Sequence, residues 1–70
     1  MILAKNIRYY RIKLGYTQEE LAAKCNMHDN YISKVELGKV SIGVNNIEKI
    51  AKALKVHPSD LLKSHLEKAD

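Results

Sequence analysis

The chain has 70 residues, 12 lysines and arginines against 8 acids for a net charge of +4, four tyrosines, and no tryptophan or phenylalanine. That length leaves room for one domain, over 1–70 with a core of about 2–66, and a chain so short buries only about 60% of its unfolded surface, so a partner subunit is expected to support it. A single cysteine, Cys25, excludes an internal disulfide and suits a reducing, cytoplasmic setting; no apolar run approaches the roughly 20 residues of a membrane span, and Lys5, Arg8 and Arg11 interrupt any signal-peptide pattern.

The apolar spacing predicts five helices and no strand, an all-α fold. The first runs from about Ile2 to Leu14, with Leu3, Ile7, Tyr10 and Leu14 on one face, and Gly15 ends it as a left-handed cap. Lys5, Arg8, Arg11 and Lys13 make this helix basic with no acid, a lean towards a polyanionic partner, and Arg11 falls on its apolar face. The second opens at Thr17, where Thr17 and Glu20 form a T-x-x-E capping box and Tyr16 can staple onto Leu21; Leu21, Ala22 and Cys25 face inward. Asn26, which tolerates the left-handed conformation, makes a sharp turn into a third helix of about Asp29 to Leu37, stopped by Gly38. This is the pattern of a helix-turn-helix. Lys39–Gly43 reads as a loop. A fourth helix, about Val44 to Leu54, carries Ile47, Ile50, Ala51 and Leu54 at i, i+3, i+4, i+7, and a fifth begins near Pro58 with Leu61, Leu62 and Leu66 as its stripe.

Viewed end-on, the third helix turns Ile32 and Val35 inward with Glu36 close beside them. Asn30, Lys34, Leu37 and, less squarely, Ser33 point outward; Asp29 and Tyr31 flank the two sides. A short polar face is ordinarily just solvated, but the preceding tight turn holds this helix proud of the body. Asn can pair bidentately with adenine, Lys can donate to guanine O6/N7, and Ser serves either base. Asp29 has two readings, a complement to the helix dipole or an acceptor for cytosine N4, and His28 sits at the N-cap, where a hydrogen-bonding cap or a phosphate contact is expected.

The run Thr17-Gln18-Glu19-Glu20-Leu21-Ala22, followed by Tyr31-Ile32-Ser33-Lys34-Val35-Glu36-Leu37-Gly38, resembles the lambda-repressor/Cro-like helix-turn-helix family, also called XRE. The stretch Ile47-Glu48-Lys49-Ile50-Ala51-Lys52-Ala53-Leu54 with Leu61-Leu62 is similar to that family's fourth and fifth helices, and Lys24–Ser33 also resembles controller proteins of restriction–modification systems. The resemblance implies a compact five-helix domain whose third helix is the recognition helix. Carried over by position, base contacts fall on Asp29, Asn30, Ser33 and Lys34 with His28 at the edge, and phosphate contacts on Thr17, Gln18, Tyr31 and Lys39. It also implies an inward ion pair between the first and third helices, which matches the inward placement of Arg11 and Glu36: a bidentate, partly buried salt bridge is predicted. Two departures are visible. Asn26 stands where many relatives have Gly, and Lys55 follows the fourth helix where Gly is common, so a left-handed cap there is expected to be slightly strained or absent.

The implied function is sequence-specific transcription regulation on a palindromic operator. The implied partners are double-stranded DNA and a second copy of the chain, with RNA polymerase a further candidate, no membrane and no cofactor. Leu62, Leu66 and Ile42 are the candidate dimer interface, against the alternative that Leu61 and Leu62 both belong to the core. Two other classes compete with this reading. A protein-interaction module such as an antitoxin would use the same fold. An enzyme finds little support: His28, His57 and His65 lie in separate segments without metal-ligand spacing, and Cys25 reads as a buried apolar group rather than a nucleophile.

Overall fold

The computed structural model describes residues 2–63, in which five α-helices follow one another: α1 (Ile2–Lys13), α2 (Gln18–Cys25), α3 (Asp29–Glu36), α4 (Val44–Ala53) and α5 (Pro58–Leu62). No strand occurs among the described residues. α2 packs on α3 and α4, while α1 lies against α3 and α5, so the helix-turn-helix is braced from two sides. Every helix sends side chains to one core: Ile7 from α1, Leu21 from α2, Ile32 from α3, Ile50 from α4 and Leu61 from α5 are fully enclosed, with Leu54 just past α4. Ala22 and Ala51, both buried, keep their helices close.

The local devices are those of short helices. Thr17 Oγ1 accepts from the Glu20 amide at 3.0 Å while Glu20 Oε1 accepts from the Thr17 amide at 2.8 Å, a complete capping box. Gly15 has φ 77°, a conformation that costs glycine nothing, and lets Tyr16 N–H return to Arg11 O at 3.0 Å. Asn26 takes the same left-handed region at φ 58°, and its N–H reaches the Ala22 and Ala23 carbonyls to close α2. α5 starts at Pro58, with His57 Nδ1 accepting from Ser59 N–H at 3.2 Å and Asp60 Oδ2 accepting from His57 N–H at 3.1 Å.

One expectation needs correction and two open alternatives are resolved. Leu14, expected on the apolar face of α1, is 38% exposed, because α1 ends at Lys13 and the turn around Gly15 swings Leu14 to the surface. Of the two alternatives at Lys55, the strained left-handed cap is the one formed, at φ 63°: Val56 N–H bonds to Ala51 O at 3.0 Å and Lys55 N–H to Lys52 O at 3.1 Å, so helix closure outweighs the roughly 1–2 kcal/mol steric cost. Of the two leucines in α5, Leu61 is fully enclosed and Leu62 is 57% exposed, so they do not share the core. The α5 stripe as expected ran on to Leu66, which lies outside the described residues, as does His65.

Candidate nucleic-acid interface

The N-terminus of α2 and the outer side of α3 converge on an open cleft of about 540 Å³, lined by Arg11, Thr17, Gln18, Glu19, Asp29, Asn30 and Ser33. Ile32 and Val35 anchor α3 from beneath, which leaves Asn30 and Lys34 exposed and Ser33 half-buried at the cleft wall. Thr17, Gln18, Asp29, Asn30 and Ser33 are thus brought together. Lys34 and Lys39 are exposed but do not line the cleft. His28 is the α3 N-cap, and its side chain makes no capping bond, against the hydrogen-bonding alternative; the turn sets its backbone at φ −76°, ψ 145° with the imidazole exposed. Ile42, expected in a dimer interface, is half-buried and packs against the core.

Arg11 and Glu36 join the floor of the cleft to the core. Arg11 Nε donates to Glu36 Oε2 at 2.6 Å and Nη2 to Oε1 at 3.0 Å, with the two side chains only 12% and 4% exposed. Arg11 Nη1 donates to Tyr16 O at 2.8 Å, and Gln18 Nε2 donates to Glu36 Oε1 at 3.1 Å. The guanidinium is therefore neutralised in place and ties α1, α2 and α3 together. Lys34 on α3 and Lys39 just past its end are both exposed.

The cap at Thr17 and an external contact do not compete. Its oxygen accepts from Glu20 N–H, while its single proton remains to be donated outward. Gln18 likewise keeps one amide hydrogen and its carbonyl oxygen beyond the bond to Glu36. The dipole of α2 adds partial positive charge at the same point.

Two polar side chains were missed from the sequence. Asn6, 1% exposed, donates through Nδ2 to Leu61 O at 2.8 Å, Lys63 O at 2.7 Å and Asp60 O at 3.4 Å, clamping the end of α5 to α1. Its position between Leu3 and Ile7 on the inward face of α1 was the available signal. Asn46, in the first turn of α4, donates to Tyr31 Oη at 3.1 Å. Two asparagines following Val44 in the first turn of a helix carry no such message on their own.

The Cys25 thiol is pushed up from its ordinary pKa by burial, against an opposing pull from Lys49, and its sulfur lies 3.8 Å from Lys49 O as a weak donor. It is held as a neutral thiol and lacks the thiolate character of a nucleophile. Among the described residues no group of three His, Cys, Asp or Glu side chains is placed to hold a metal, and no helix is long and apolar enough to cross a membrane.

Comparison with known proteins gives this geometry a family. The helix-turn-helix family model matches residues 7–61, which takes in all of α2, α3 and α4. The chain belongs to the XRE-type helix-turn-helix family. It is 43% identical over 63 residues to the control protein C.BamHI of Bacillus amyloliquefaciens, covering 89% of this chain and 78% of that protein. The crystal structure of a hypothetical transcription factor from Neisseria superposes with a TM-score of 0.90 at 42% identity, over 96% of this chain and 75% of the other. SinR, a master regulator for biofilm formation solved in complex with DNA, matches at TM-score 0.81 and 29% identity, over 87% of this chain and 98% of that one. As an XRE-type protein the chain is a DNA-binding transcription regulator, and the relatives with which it aligns are regulators rather than enzymes.

Proposed function

We propose that this XRE-type regulator binds a two-fold symmetric operator as a homodimer, each copy inserting α3 into the major groove. The observation that carries the reading is the shared cleft: Asn30 and Ser33 of α3 stand beside the N-terminus of α2, so one approach of a duplex presents base edges to α3 and a phosphate to Thr17 and Gln18. Asn30, Ser33, Lys34 and Asp29 read bases with His28 at the edge; Thr17, Gln18, Tyr31 and Lys39 hold phosphates. Each good bidentate base contact supplies about 1–3 kcal/mol of discrimination. One module covers roughly 600–1,000 Å² of protein surface on DNA, at the low end for specific binding, and a second copy doubles the contacts. The exposed Leu62 of α5 offers an apolar contact for that copy. Half-sites then lie about one helical turn apart. RNA polymerase becomes a partner where the operator abuts a promoter.

Selection of binding sites from random duplex DNA at two salt concentrations tests this. A two-fold motif is expected, with Lys34→Ala relaxing one position in each half-site. A uniform loss across all sequences assigns Lys34 to phosphate instead, and selection that returns no motif overturns sequence reading altogether.

A further inference from the structure

We infer that Asn46 is a positioning residue, which aims the hydroxyl proton of Tyr31 outward as a donor to a DNA phosphate on the side of α3 that faces α4. The inference rests on the reading of α3 as the major-groove helix and adds to it a residue outside the helix-turn-helix.

Tyr31 sits on the flank of α3, half-buried, its ring packed against the hydrophobic core. The ring position is therefore fixed, and only the torsion of the O–H bond is left to choose. A phenol has one proton and can also accept. Asn46 Nδ2 occupies the accepting side at 3.1 Å, and Nδ2 has no proton acceptor to offer in return. The Tyr31 proton must then point away from Asn46, and no described side chain or carbonyl receives it. A half-buried hydroxyl whose oxygen is engaged and whose proton is directed outward is a donor prepared before its acceptor arrives.

The surroundings suit an anionic acceptor. The first turn of α4 holds no acid, and its N-cap, Gly43, supplies no side-chain cap. Lys39, in the loop between α3 and α4, is exposed. Of the two acids in α3, Glu36 is taken up by Arg11 and Gln18, and Asp29 lines the cleft on the α2 side of the helix. A neutral donor in a fixed place among such groups contributes register rather than sequence information, which is the role of phosphate contacts.

The test uses the full chain, its selected operator duplex and three unrelated duplexes. The variants are Tyr31→Phe, Asn46→Ala and the two combined, each checked by thermal melting. Tyr31→Phe, which keeps the packed ring, is expected to weaken binding roughly 10- to 150-fold, the range of one hydrogen bond to a charged group. The loss should be equal on all duplexes and leave the salt dependence unchanged, because no charge is removed. Asn46→Ala is expected to show a smaller loss of the same uniform kind in the wild-type background and none in the Tyr31→Phe background. Wild-type affinity for Tyr31→Phe overturns the proposal. So do losses that multiply in the double variant, since Asn46 would then act by another route, and so does a loss that depends on sequence. If the wild-type chain fails to bind any duplex, the underlying α3 reading falls first and this inference with it, an outcome distinct from failure of the variants alone.

Discussion

Glu36→Gln isolates the ion pair at the centre of the molecule. The substitution preserves side-chain shape but replaces one of the two oxygens facing the Arg11 fork with an NH₂ group, which repels the guanidinium. Removing one partner of a buried pair costs about 3–5 kcal/mol. Arg11 retains 12% side-chain exposure and its 2.8 Å bond to Tyr16 O, which places the loss near the lower bound, about 3 kcal/mol. For a domain this small each kcal/mol moves the melting temperature by about 4–8 °C, so Tm is expected to fall by about 12–24 °C. Stability of roughly 0.05–0.15 kcal/mol per residue makes that more than about a quarter of the total. Circular dichroism melting and urea denaturation read it directly. The pair is not expected to outperform a hydrophobic replacement: Arg11→Met combined with Glu36→Leu should recover most of the lost Tm, because the cost of the single change is an orphaned buried charge. A Glu36→Gln protein that melts within 3 °C of the parent would refute the reasoning.

Three further outcomes are expected. Lys55→Gly relieves the left-handed strain at φ 63°, worth roughly 1–2 kcal/mol, against a glycine entropy cost of roughly 0.5–1 kcal/mol, so Tm should rise by a few degrees; a fall would mean that the Lys55 side chain holds the turn. The His57 backbone N–H, with Lys63 Nζ 3.4 Å from its other oxygen, holds the Asp60 carboxyl below its ordinary pKa of 3.8, so its contribution is present above that value and lost as pH falls through the lower folded-state pKa. Asp60→Asn should therefore flatten the acid limb of a Tm–pH profile as pH falls below 3.8, and an unchanged limb would contradict the assignment. Leu62→Lys should shift sedimentation equilibrium towards monomer and weaken operator binding without lowering monomer Tm, whereas unchanged association would move the dimer contact away from α5.

What could be read from the sequence was what depends on near neighbours. Thr17 and Glu20 are three residues apart, so their reciprocal cap follows from the order of residues alone. The rotation of α3 is fixed by Ile32 and Val35, and that rotation carries Asn30 and Lys34 outward and Glu36 towards Arg11. What escaped depended on distant partners. Asn6 finds its acceptors 55 and 57 residues away, at Leu61 O and Lys63 O, and nothing near it in the chain announces them. Asn46 meets Tyr31 only because α4 folds back beside α3. Lys55 stayed open between a strained cap and none because local propensity disfavours its conformation while closure of α4 and the burial of Leu54 require it. Leu14 was misjudged by extending the apolar period one residue past Lys13, where α1 ends.

The decisive measurement is chemical interference in the two grooves of the selected operator. Replacing purines with their 7-deaza analogues removes the N7 acceptor from the major groove alone, and replacing guanine with inosine removes the N2 donor from the minor groove alone. Weakened binding at discrete 7-deaza positions, repeated symmetrically in both half-sites, with inosine tolerated there, is the expected result. Insensitivity to every 7-deaza substitution, or losses that follow inosine instead, would contradict insertion of α3 into the major groove.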